Sequence, residues 1–227
     1  MKLKILIISA FFVAGCSSTP PTIQEGPDAE VTFDGLHKID HSIFAAAWAD
    51  PDIDFSRYTK VMPGGAFFEF RAVKKTTGTT TGRNVAGRNE FYIDDKDRQR
   101  LEEEVSKIFQ EELAKSTRFQ ITEEKGEDVL ILRGGLHDIV SRVPPQLMGR
   151  GEIYLSSVGE ATLVLEIADS MSSETIYRAI ERRAAQRPGG TAIAGGSNSV
   201  TTWAEVRRLA RRWATTLRDG LDSVPTE

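Results

Sequence analysis

One cysteine in 227 residues leaves no partner for an intramolecular disulfide, so the fold has to rest on packing. Histidine is almost as scarce, at three. His37 and His41 stand four apart, with Asp34 and Asp40 near them, but that spacing serves a metal from one face of a helix and no helical pattern runs through the stretch. Two exposed histidines account for them, and neither a metal nor a cofactor is expected. The third, His137, is followed by Asp138, yet the chain has neither a Gly-x-Ser-x-Gly elbow nor a His-Glu-x-x-His pair. The reading is therefore of a protein that is not an enzyme. Gly82-Arg83-Asn84-Val85-Ala86-Gly87-Arg88-Asn89 has the glycine spacing of a phosphate loop, but Arg88-Asn89 stands where a lysine and a hydroxyl are required. No apolar strand precedes it, so a surface loop is expected and no nucleotide. Net positive charge is missing as well: at −4 the chain has no overall field to draw nucleic acid. Nor does any apolar run reach the ~20 residues that a membrane-crossing helix needs.

What the chain does have begins with Met1-Lys2-Leu3-Lys4, a positive start, followed by the apolar run Ile5 to Val13 and then Ala14-Gly15-Cys16. Val13-Ala14-Gly15-Cys16 resembles a bacterial lipobox, with Val in place of the usual Leu. Ser17-Ser18-Thr19-Pro20-Pro21 comes next and cannot continue a buried helix, because proline lacks the N–H donor and the hydroxyls favour water. The resemblance implies cleavage between Gly15 and Cys16 and lipid attachment at Cys16. At ~0.8 kcal/mol per buried CH₂, several acyl chains give a persistent membrane anchor where one gives a marginal one. Residues 1–15 are then a signal peptide, and their two lysines take the charge from −4 to −6 when they leave. Ser17 after Cys16, where inner-membrane lipoproteins commonly carry Asp, implies the outer membrane with the domain in the periplasm; the inner membrane's periplasmic face is the alternative.

The remaining 212 residues exceed what a tether alone requires, and 40% hydrophobic with 27% charged residues is the balance of a chain that buries a core. Residues 16–35, rich in Ser, Thr, Pro, Gly and acids, read as a flexible lipidated tether reaching ~25 Å. Residues 36–223 read as a single domain. Ser42 to Trp48 suggests a helical turn before Pro51. Tyr58 to Val73 suggests a strand with Phe68 and Phe70 on one face, Glu69 and Arg71 on the other, and a kink at Pro63-Gly64-Gly65. Thr76 to Asn89 is a Thr/Gly-rich loop. Asp94 is a suitable N-cap for a helix whose stripe is Leu101, Val105, Ile108, Phe109 and Leu113, with Glu112 intruding. Strands follow at Phe119–Thr122, Val129–Val143 with a bulge expected at Gly134-Gly135, Val158–Ala168 and Thr175–Ala185. Asp169 to Glu174 has the turn chemistry of an antiparallel hairpin. After a glycine-rich loop from Pro188 to Ser199, Thr202-Trp203-Ala204-Glu205 has capping-box spacing for a final helix that Gly220 closes.

At 100° per residue, that helix places Val206, Leu209, Ala210, Trp213 and Leu217 on one side and Arg207, Arg208, Arg211, Arg212 and Arg218 on the other. Burying both helical stripes on one antiparallel sheet gives an α+β two-layer sandwich with two amphipathic helices on one face. The arginine side reads as a solvated face partly paired with Glu102, Glu103 and Glu111. Arg207, Arg208, Arg211 and Arg212 are also the candidate contacts for lipid headgroups or an acidic partner.

Tyr58-Thr59-Lys60-Val61, Leu130-Ile131-Leu132-Arg133, Asp169-Ser170, and Trp213-Ala214 with Leu217, Leu221 and Asp222 resemble the bacterial lipoprotein family known as domain of unknown function 3313. Pro63-Gly64-Gly65 departs from the pattern, where a more continuous strand is expected. The resemblance implies a lipid-anchored envelope protein and carries no catalytic residues. Expected, then, is a periplasm-facing interaction or accessory module, held in the membrane through acyl chains on Cys16 and meeting an envelope protein. A small-molecule or lipid-binding module is the alternative, with an envelope hydrolase behind it.

Overall fold

The computed structural model describes residues 19–73, 90–143, 155–186 and 199–224, with side chains in the last stretch from residue 202. Gly15 and Cys16, the 76–89 loop with its phosphate-loop-like glycines, and residues 188–198 lie outside the described residues. The strands are β1 Thr22–Ile23, β2 His37–Asp40, β3 Ala46–Ala49, β4 Lys60–Phe70, β5 Gln120–Ile121, β6 Val129–Ser141, β7 Gly159–Asp169 and β8 Thr175–Ala185, and the α-helices are α1 Asp95–Leu113 and α2 Ser199–Asp222. One sheet takes the order β1-β2-β3-β8-β7-β6-β4-β5. Every neighbouring pair is antiparallel except those of β4, which runs parallel to β5 and β6. Parallel strands need a long crossover, and α1 supplies it.

Asp94 caps α1, its carboxylate accepting from Asp97 N at 2.8 Å, while Asp95 and Asp97 place negative charge at the positive end of the helix dipole. The α1 stripe of Val105, Ile108 and Leu113 meets Ala210, Trp213, Ala214 and Leu217 of α2 over the inward side chains of β7, Ala161, Leu163, Leu165 and Ile167. This is the two-layer α+β sandwich with both helices on one face. Glu112 intrudes on the stripe as expected, and Lys115 and Arg218 compensate it at 2.6 and 2.8 Å. The Lys115 hydrogen bond, working against burial, holds its carboxyl below the usual range.

The β7–β8 turn closes as its chemistry predicts. Asp169 accepts from Met171 N and Ser172 N at 2.8 Å each, and Ser173 takes φ +64. Phe68 and Phe70 join the core while Glu69 stays outside, bonded to His137.

Four expectations are corrected. The supposed tether is folded from β1 onward: β1 pairs with β2, and Asp34 receives Arg178 at 2.7 Å. Its polar composition conceals a strand because edge pairing satisfies the backbone without an apolar face. The turn around Ser42 to Trp48 contains β3 instead of a helix, since pairing Ala46–Ala49 with β8 overrides alanine's helical preference. β6 holds regular register with β7 through Gly134 and Gly135, and its irregularity lies between His137 and Val140, where Asp138 takes φ +54. The two glycines instead make room: a Cβ on Gly135 would fall 2.7 Å from the Phe67 ring. The kink expected at Pro63-Gly64-Gly65, by contrast, is present, as a register shift of β4 between Pro63 and Ala66. Finally, α2 begins at Ser199, before the expected capping box, and runs past Gly220 to Asp222.

Candidate functional site

Three features of the folded domain are candidates for function. The first is an apolar cleft of about 200 Å³ where the β1–β3 edge meets the C-terminal half of α2. Ile23 and Ile39 come from the edge strands, Tyr177 from β8, and Leu217, Gly220 and Leu221 from α2. Burial raises the pKa of the Tyr177 phenol, which therefore stays neutral, and its hydroxyl has no hydrogen-bond partner among the described residues. Gly220 matters here. A glycine inside a helix costs about 1 kcal/mol relative to alanine, yet a Cβ at this position would meet Ile43 Cδ1 at 3.0 Å and narrow the cleft.

The second is the basic side of α2. Arg207, Arg208, Arg211 and Arg212 line one shallow groove with Ala204, Thr215 and Thr216. The expected pairing with α1 occurs through different acids, because Arg207 reaches Glu104 at 3.3 Å and Arg218 reaches Glu112. Glu102, Glu103 and Glu111 are not the partners: α1's rotation turns Glu104 and Glu112 toward α2. Arg208 bonds the buried Glu205 one turn earlier. Arg211 and Arg212 are exposed and have no ion-pair partner among the described residues. Two guanidiniums are thus available to planar anions, which they bind in a forked geometry.

The third lies on the sheet face away from the helices. The left-handed bulge at Asp138 presents its carboxylate to Arg71 and, at 2.8 Å, to Arg182. Arg182 also reaches Glu160 at 2.9 Å, Arg142 shares that carboxylate, and Arg71 continues to Glu90 at 2.5 Å. The Arg71 bond, with burial opposing it, brings the Asp138 pKa down to about 2. The network ties β4, β6, β7 and β8 together, and every carboxylate in it faces an arginine, the pattern of a staple. Sequence reading missed it, since only the bulge brings Asp138 between two arginines. His137 contacts Glu69 at 2.5 Å, with no nucleophile beside it among those bonds. His37 Nδ1 donates to the Gln24 carbonyl at 2.7 Å, and His41 sits apart in a turn with φ +57.

The fold is thus an α+β sandwich that carries a row of arginines on α2 and an apolar cleft at its edge. The chain belongs to the family described as "Protein of unknown function (DUF3313)", whose model matches residues 33–217. No curated protein matches it. Among solved structures it is similar to protein XCC0632 from Xanthomonas campestris, of the DUF330 family model, at 10% identity and a TM-score of 0.38 over 71% of this chain and 82% of that one. It is also similar to the PelC dodecamer from Paraburkholderia phytofirmans, at 10% identity and a TM-score of 0.32 over 76% of this chain and 94% of that one.

Proposed function

We propose that the protein is a lipid-anchored bacterial envelope lipoprotein whose domain serves as a non-enzymatic interaction module, meeting an acidic envelope partner through the arginine side of α2. The observation carrying this reading is the groove of four arginines, two of them unpaired among the described residues, on a chain whose net charge is −4. Such a local reversal of sign steers an acidic surface to one face and fixes orientation more than it adds raw affinity. Gly15 and Cys16 supply the cleavage and attachment points, Ser17 directs the protein to the outer membrane, and the domain faces the periplasm. Because β1 starts at Thr22, Cys16 and the sheet are six residues apart, so the domain lies within about 21 Å of its anchor and close to headgroups.

In-cell crosslinking tests the reading. Arg211→Glu with Arg212→Glu is expected to remove a specific crosslinked band while membrane association persists. An unchanged band pattern would refute the arginine side as the contact.

A second reading, a module that binds a small apolar molecule or lipid, is favoured by one observation: the cleft beside Gly220.

A further inference from the structure

We infer that the cleft between the β1–β3 edge and α2 holds the aliphatic end of an acyl chain. This deepens the second reading above and stands independently of the arginine face.

Size and lining give the ligand class. An engineered cavity of ~150 Å³ lined by Leu, Ile and Phe stays dry and takes benzene, and this cleft is larger, at about 200 Å³. None of its lining residues is charged. A free fatty acid must therefore keep its carboxylate at the rim and insert its hydrocarbon end. Water gains little inside, since apart from the Tyr177 hydroxyl the side-chain polar groups are the serines Ser42 and Ser223.

Gly220 is the second, independent observation. It occupies a helical position where any other side chain would project toward Ile43, so the sequence keeps open a space that ordinary helix formers would fill. Ile43 is itself 51% exposed, an apolar side chain left at the mouth of the cleft.

Location supplies the occupant. Pro21, on the rim, follows Cys16 by five residues, and an extended chain covers ~3.3–3.6 Å per residue, so the sulfur lies within about 18 Å of the mouth. Acyl chains attached there, or those of the bilayer that holds them, are within reach.

The test uses the full chain carrying Cys16→Ser, which has no lipid of its own, titrated with 11-(dansylamino)undecanoic acid. Saturable, blue-shifted emission is expected, and Gly220→Leu in the same background should weaken it at least tenfold. Gly220→Ala controls for folding: its melting temperature should hold or rise while binding falls. Absence of saturable binding, or equal binding by a folded Gly220→Leu chain, would overturn the proposal. The source is read in cells fed a diazirine-bearing palmitate. Crosslinks from the Cys16 acyl chain to the peptide containing Leu217 and Leu221 assign the protein's own lipid, and crosslinks from phospholipid assign the bilayer. No crosslink to that peptide from either source counts against the cleft. Failure of palmitate to label Cys16 would remove the anchor and leave the dansyl titration to decide the cleft alone.

Discussion

Asp138 and Asp34 show how much of this fold's electrostatics depends on single side chains. Both carboxyls sit at about 2, drawn down chiefly by Arg71 and Arg178 respectively. Because these folded-state values lie below the unfolded carboxylate value of ~3.9, their contribution is fully present above that pH and is lost as pH falls toward 2. Denaturant unfolding at pH 6 and pH 3 should therefore show a decline in wild type that is smaller in Asp138→Asn. An equal decline would show that the staple carries no linkage. Trp213 is the corresponding residue in the core, 1% exposed, with an indole N–H that has no acceptor among the described residues. Trp213→Ala should cost ~3–5 kcal/mol. Trp213→Phe should cost much less, since it also removes an unsatisfied donor. Arg211→Ala should stay within ~0.5 kcal/mol. Thermal melts rank the three, and a larger loss for Arg211→Ala would reverse the assignment of faces.

Helix α1 depends on its cap, so Asp94→Ala should cost about 1 kcal/mol in denaturant unfolding, and no loss would mean that the first turn is held by something else. Periodicity made such elements readable: the α1 stripe, the alternation along β7, the Asp169 turn and the buried side of α2 all follow from spacings of 3.6 or 2 with local turn chemistry. What escaped was decided at a distance. β1 and β3 are too short to show a pattern, and each exists through pairing with β2 or β8. Gly220 looked like a helix stop because a glycine near a helix end usually is one, whereas here its neighbour Ile43 explains it. The arginine side of α2 could be read from one helix alone, but its division into Arg207, paired with Glu104, and Arg211, without an ion-pair partner among the described residues, depends on where α1 places Glu104. The cleft was invisible in sequence, assembled as it is from separate strands, loops and one helix.

For the whole molecule, β1 starting at Thr22 leaves six residues after Cys16, about 21 Å at full extension, so on the proposed anchor the domain would sit close to the bilayer. In that position both the arginine groove and the acyl-sized cleft would act within reach of headgroups and lipid chains. Destination has its own test: on density fractionation of a Gram-negative host, wild type should track with outer membrane and Ser17→Asp should shift inward. A wild type that stays with the inner membrane would refute the destination. The lipid anchor at Cys16 underlies the proposed role, and metabolic labelling with radioactive palmitate measures it directly. Wild type should incorporate label and appear as the processed form, while Cys16→Ser should remain unlabelled and unprocessed. Incorporation by Cys16→Ser at the wild-type level would rule out an anchor at Cys16.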